Sequence, residues 1–233
     1  MIFRQLFEPA SSTYTYLLAD PDSRAAVLID PVIEEVETYV KLLAELGLRL
    51  EHTLETHVHA DHVTAGSALR DRLGSRTVVH RDGGASCADR LVQHGDRIQI
   101  GALELEVREV PGHTNGCIAY VAPDRVFTGD ALLIGGCGRT DFQQGDAGKL
   151  YDNVHAQIFS LPPDTLIYPG HDYKGRTVST VKEELATNAR LGGGKTRDEF
   201  IEIMANLKLA YPKQIDRAVP ANQACGREGF VQG

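Results

Sequence analysis

Four times along this sequence, a short apolar run ends in a turn that carries histidine or aspartate. Residues 50–55 lead into THVHADH at 56–62, and residues 103–110 lead into PGHT at 111–114. Residues 125–128 lead into GDA at 129–131, and residues 165–168 into PGHDY at 169–173. Runs rich in β-branched, aromatic and aliphatic residues, punctuated by Pro, Gly and Ser, read as strands. Open sheets present functional groups at strand ends. The recurrence therefore points to a sheet-based fold whose strand ends deliver ligand-type side chains.

The first turn is the strongest signal. It holds His57, His59, Asp61 and His62, a metal-ligand cluster directly after a strand. His57 and His59 are alternate residues and point to the same side of an extended turn. Asp61 and His62 follow at the start of the next helix, so two adjacent metal positions could be served. Gly112 lets the backbone turn sharply before His113. Alone, His113 would read as a structural loop histidine and Asp130 as a turn or N-cap residue. Beside the first cluster, both become ligand candidates, as does His171. His52, His80, His94 and His155 lack this context and are expected on the surface or in the core.

The remaining pattern sets the architecture. Strands are expected at 2–7, 13–18, 25–29, 50–55, 77–80, 97–100, 103–110, 117–121, 125–128 and 165–168. Helices are expected at 34–46, closed by Gly47, at 63–73, ending at Gly74, and at 146–160, 178–190 and 197–209. A glycine-rich loop, 133–145, precedes the third helix. Two groups of strands with helices between them imply an α/β fold, an αββα sandwich of two mixed sheets with outer helices. No composition break divides the chain, so residues 1–233 read as one domain. Its helical segment and wrapping tail cover about 178–233, the last ~20 residues showing little periodicity.

Composition narrows the function. Lys and Arg total 24 against 32 Asp and Glu, a net charge of −8, without a Lys/Arg cluster. That excludes nucleic acid and anionic membranes as partners. No apolar run approaches the ~20 residues of a membrane span. The start has no signal-peptide core, so a cytoplasmic location is expected. Four widely spaced cysteines without a C-x-x-C pair argue against a disulfide framework or a cysteine zinc site. Cys87, Cys117 and Cys225 are expected as buried small apolar residues.

H-x-H-x-D-H at 57–62, with His113, Asp130 and His171 at matching intervals, resembles the metallo-β-lactamase superfamily. Within it, LLIGGCGRTDFQQG at 132–145, FEP at 7–9, LIDP at 28–31, IMAN at 203–206 and AVPAN at 218–222 resemble the persulfide dioxygenases. That resemblance spans nearly the whole chain. It implies oxidation of glutathione persulfide by O₂ to sulfite and glutathione at one Fe(II) per chain. It places the iron ligands on His57, His113 and Asp130. His59, Asp61, His62 and His171 are then groups that orient ligands or hold water, or that serve a second metal. Two histidines and one carboxylate leave open positions for persulfide and O₂ on an octahedral Fe(II). Arg139 could hold a glutathione carboxylate through a two-pronged contact. Tyr173 could hydrogen-bond the bound sulfur or Cys137, which reads as a tuning or substrate-contacting residue. The alternative is a glyoxalase II-like thioester hydrolase with two metals. The short stretch after His171 argues against it. A homodimer is open, since the strand-rich N-terminal segments and the long tail could pair.

Overall fold

A computed structural model describes residues 1–227. Residues 228–233, the end of the expected tail, lie outside the described residues. The first sheet contains β1 (Ile2–Glu8), β2 (Thr13–Ala19), β3 (Ala25–Ile29), β4 (Arg49–Leu54), β5 (Arg76–His80) and β6 (Arg90–Val92), in that spatial order. β1 to β3 are antiparallel, and β3 to β6 are parallel. Parallel neighbours need a crossover. Helices α1 (Val36–Leu46) and α2 (Gly66–Leu73) supply the first two.

The second sheet contains β7 (Arg97–Ile100), β8 (Leu103–Glu109), β9 (Ile118–Val121), β10 (Arg125–Gly129), β11 (Leu166–Pro169) and β12 (Ser179–Thr180). Each strand lies beside its sequence neighbours. Only β10 and β11 are parallel, joined through α3 (Ala147–Asn153) and a π turn at Val154–Ile158. Helices α4 (Val181–Thr187), α5 (Arg197–Ala205) and α6 (Ile215–Gln223) follow.

Period-two side-chain alternation builds the four layers. Tyr14, Tyr16 and Leu18 of β2 face the second sheet and meet Ile98, Tyr120 and Phe127 in one cluster. Leu17 and Ala19, on the opposite face, pack with Val36, Tyr39 and Leu43 of α1. The outer face of the second sheet, with Ala119, Val126 and Ile167, packs on Leu150 of α3 and Phe200 and Met204 of α5. Both sheets are thus covered on both faces, and the expected αββα sandwich forms.

Several elements differ from the sequence expectation. The helix expected from 63 starts at Gly66, because Ile33 N–H donates to Val63 O and Ala65 N–H to Pro31 O. Those bonds hold 63–65 extended. The helix expected to reach 209 stops at Ala205, capped by Asn206. The tail contains α6, with Pro220 inside it. Proline lacks an N–H and so sacrifices a helix bond. Burial of Ala218 against Val63 compensates.

The cysteine expectation fails at two positions. Cys87 and Cys225 form a disulfide with a Cα–Cα distance of 5.9 Å across 138 residues of sequence. Spacing hid the pairing, because the fold brings α6 back onto the loops that follow β4 and β5. Cys117 and Cys137 are free and buried. Reduction is expected to lower stability by ~2–5 kcal/mol, since the bridge restricts the unfolded chain. Denaturation with and without a thiol reductant measures it. A Cys87→Ser variant should match the reduced wild type and ignore reductant. A midpoint indifferent to reductant in the wild type would refute the contribution.

Candidate metal centre and cleft

The expected ligand residues converge. Ligand atoms of His57, His113 and Asp130 lie within 4.8 Å of one another, and so do those of His59, Asp61 and His62. The His57 and His59 rings are 4.1 Å apart, and the His57 and His113 rings 4.9 Å. His171 Nε2 joins the two groups, 3.4 Å from Asp130 Oδ1 and 3.5 Å from Asp61 Oδ2.

Hydrogen bonds fix which ring nitrogens face inward. The Thr56 hydroxyl donates to Asp30 Oδ2 at 2.8 Å, so at 3.0 Å from His57 it accepts the Nδ1 proton. His113 Nδ1 donates to the Arg139 carbonyl at 2.5 Å. Both residues therefore keep an Nε2 lone pair for a ligand. His113 Nε2 lies 3.6 Å from Asp130 Oδ2. Two glycines let backbone crowd against Asp130. A Cβ on Gly138 would lie 2.8 Å from His113 Nδ1 and 2.9 Å from Asp130 Cβ. A Cβ on Gly170 would lie 2.8 Å from Asp130 Oδ1.

A metal fits this arrangement. Asp130 Oδ1, His59 Nδ1 and His62 Nε2 are buried polar atoms without a hydrogen-bond partner. Orphaned buried polar atoms are costly. A cation held by His57, His113 and Asp130 accounts for the first, and the other two belong to the separate His59, Asp61 and His62 group. Burial, then the neighbouring His59 and His113, pushes His57 well below the ordinary histidine range, which keeps it neutral and able to ligate. Burial would raise the Asp61 carboxyl, but His171 and His62 hold it well below the usual range. Imidazoles and carboxylates suit iron or zinc.

A cleft of about 740 Å³ opens on the site, lined by His113, Asp130, Cys137, Arg139 and Tyr173 among others. The Arg139 fork is already closed on Asp141, at 2.6 and 2.7 Å, and its Nη1 donates to the Ala210 carbonyl. Its guanidinium also lies over the Phe142 ring. The Cys137 sulfur sits 3.8 Å from Met204 Sδ, and burial pushes its thiol up to about 11. That burial favours the neutral thiol. Tyr173 is 73% exposed and stacks on the His171 ring.

Sequence reasoning missed the buried frame behind the ligands. Asp30 accepts from Thr56 N–H at 2.7 Å and lies 3.1 Å from His59 Nε2. Glu55 Oε2 is 3.5 Å from the same nitrogen. Burial would lower His59, but Asp30 and Glu55 hold it well above its ordinary range. Thr13 Oγ1 lies within hydrogen-bond distance of Asp61, His62 and His171. Asp30 carried a usable signal, a carboxylate directly after the apolar run of β3. Thr13 and Glu55, inside strand-like runs, carried none.

The metallo-β-lactamase superfamily model matches residues 9–171. The persulfide dioxygenase ETHE1, mitochondrial, of Homo sapiens is 55% identical over 229 residues, covering 97% of this chain and 89% of its own length. The chain belongs to the persulfide dioxygenase family. The crystal structure of ETHE1 from Myxococcus xanthus matches this persulfide dioxygenase with a TM-score of 0.95 at 56% identity, over 97% of this chain and all of that one. A hydroxyacylglutathione hydrolase of Thermosynechococcus vestitus is 35% identical over 199 residues, 82% of this chain and 75% of its own. The hydrolase alternative thus has only the more distant likeness.

Proposed function

We propose that this persulfide dioxygenase acts on glutathione persulfide at a single Fe(II) held by His57, His113 and Asp130. The reaction balances as glutathione persulfide plus O₂ plus water giving glutathione plus sulfurous acid, which ionises to sulfite. The observation that carries the reading is the triangle of two Nε2 lone pairs and one carboxylate, with both Nδ1 protons anchored. A ferrous ion there would supply the redox chemistry for O₂ that zinc lacks.

The chain's own residues do the rest. The cleft takes the tripeptide and keeps bulk water from the sulfur. Arg139, its charge balanced by Asp141 and its Nη1 held on the Ala210 carbonyl, shapes the cleft wall. Arg190 Nη1 donates to the Cys137 carbonyl at 2.7 Å and brings a cation to the same wall, suited to glutathione carboxylates. Tyr173 offers its hydroxyl at the mouth. Asp61 is engaged with His62 Nδ1 at 3.0 Å, which supports an orienting role for this pair beside one metal.

The grouping of His59, Asp61 and His62 favours a second reading, a thioester hydrolase with two metals. Metal analysis of protein purified without oxygen separates the two. About one iron per chain is expected, and two metals per chain would support the hydrolase. A cytoplasmic location and a homodimer belong to the same proposal, tested by cell fractionation and sedimentation. No helix among the described residues is long and apolar enough to cross a membrane.

A further inference from the structure

The C-terminal segment takes part in the site twice. Leu209, Pro212 and Ala218 line the cleft. Four residues beyond Ala218, on the same α6, Asn222 is 5% exposed and turned onto the metal loop. Its Oδ1 accepts from Thr64 N–H at 2.8 Å. Its Nδ2 donates to the carbonyls of His59 at 2.9 Å and His62 at 2.8 Å. One side-chain amide thus ties three backbone groups of a six-residue turn, using both donors and one acceptor site.

The docking around Asn222 is firm. Val63 of the turn packs against Ala218 and Ala221. Ser67 N–H donates to the Cys225 carbonyl at 2.8 Å, and the Cys87–Cys225 bridge fastens the chain just after α6 to the connection between β5 and β6. Backbone passes so close at Gly226 that a Cβ there would lie 2.1 Å from the Thr64 carbonyl. Asn222 bonds to backbone groups of the turn rather than to ring or carboxylate atoms. It acts on them through the turn. The His59 and His62 rings are 4.3 Å apart, and His59 packs on His57.

We propose that Asn222 is a positioning residue for the metal centre, holding the 59–64 turn so that the His59 ring stays packed on the ligand His57. The proposal rests on the metal reading above. Removing partners that orient ligands typically weakens metal binding by ~10–100-fold.

The test uses the full chain, stripped of metal, with Co(II) as the probe. Three quantities are read: Co(II) affinity against a competing chelator, the visible absorption of the cobalt form, and the melting midpoint of the metal-free protein. Asn222→Asp keeps size and the acceptor for Thr64 but sets an anionic oxygen against two carbonyls. Asn222→Ala removes the bonds without adding charge, and so covers the case in which the aspartate variant fails to fold. Either folded variant should bind Co(II) ~10–100-fold more weakly, with a shifted absorption band. Wild-type affinity and spectrum in a folded variant, whatever its melting midpoint, would overturn the proposal and leave Asn222 a packing residue. A wild-type protein that binds no cobalt would overturn the metal reading itself, and the proposal with it.

Discussion

Asp130→Ala is expected to lose its iron and its activity together. Asp130 is the one anionic member of the His57, His113 and Asp130 group. Its loss leaves two neutral imidazoles to hold a divalent cation at a buried position. The effect should exceed the ~10–100-fold typical of residues that merely orient a ligand. His59→Ala should fall inside that smaller range, since His59 is engaged with Asp30 and Glu55. Metal content after desalting, compared across the two variants, checks the order. Wild-type iron content in Asp130→Ala would remove Asp130 from the ligand set.

Asp30→Ala is expected to be the most destabilising single change near the site. Asp30 is 1% exposed and accepts from Thr56 N–H, the Thr56 hydroxyl and His59 Nε2. Removing one partner of a buried charged pair costs ~3–5 kcal/mol. Denaturant unfolding of the metal-free variant measures this. A loss below ~1 kcal/mol, the worth of one ordinary hydrogen bond, would refute the network's importance. Asp30→Asn should cost less in stability while still disturbing the centre. An amide N–H facing the Thr56 hydroxyl would free the hydroxyl proton to compete with His57 Nδ1, and so unsettle the tautomer that leaves Nε2 open.

What could be read from the sequence was the part governed by local pattern. β2 and β3 are apolar on both faces because helices and a second sheet cover them, and such runs announce themselves. His57, His113, Asp130 and His171 sit at strand ends, where turn residues mark them. The residues that orient them did not stand out, because their partners are distant in sequence. Asp30 and Thr56 are 26 residues apart, and Asn222 and His59 are 163 apart. The Cys87–Cys225 bridge was hidden for the same reason. Helix α6 was masked by Pro220, and only its docking on Val63 explains why a helix persists there. Arg139 was visible as a charged loop residue, but its closure on Asp141, two residues on, was not anticipated.

Oxygen consumption by defined metal forms tests the central claim most directly. The metal-free protein is loaded with Fe(II) or with Zn²⁺, and each form is offered glutathione persulfide and S-lactoylglutathione. The iron form should consume O₂ in proportion to sulfite released, the zinc form should consume none, and neither should cleave the thioester appreciably. Brisk thioester hydrolysis by the zinc form, with no O₂ uptake by the iron form, would contradict the account.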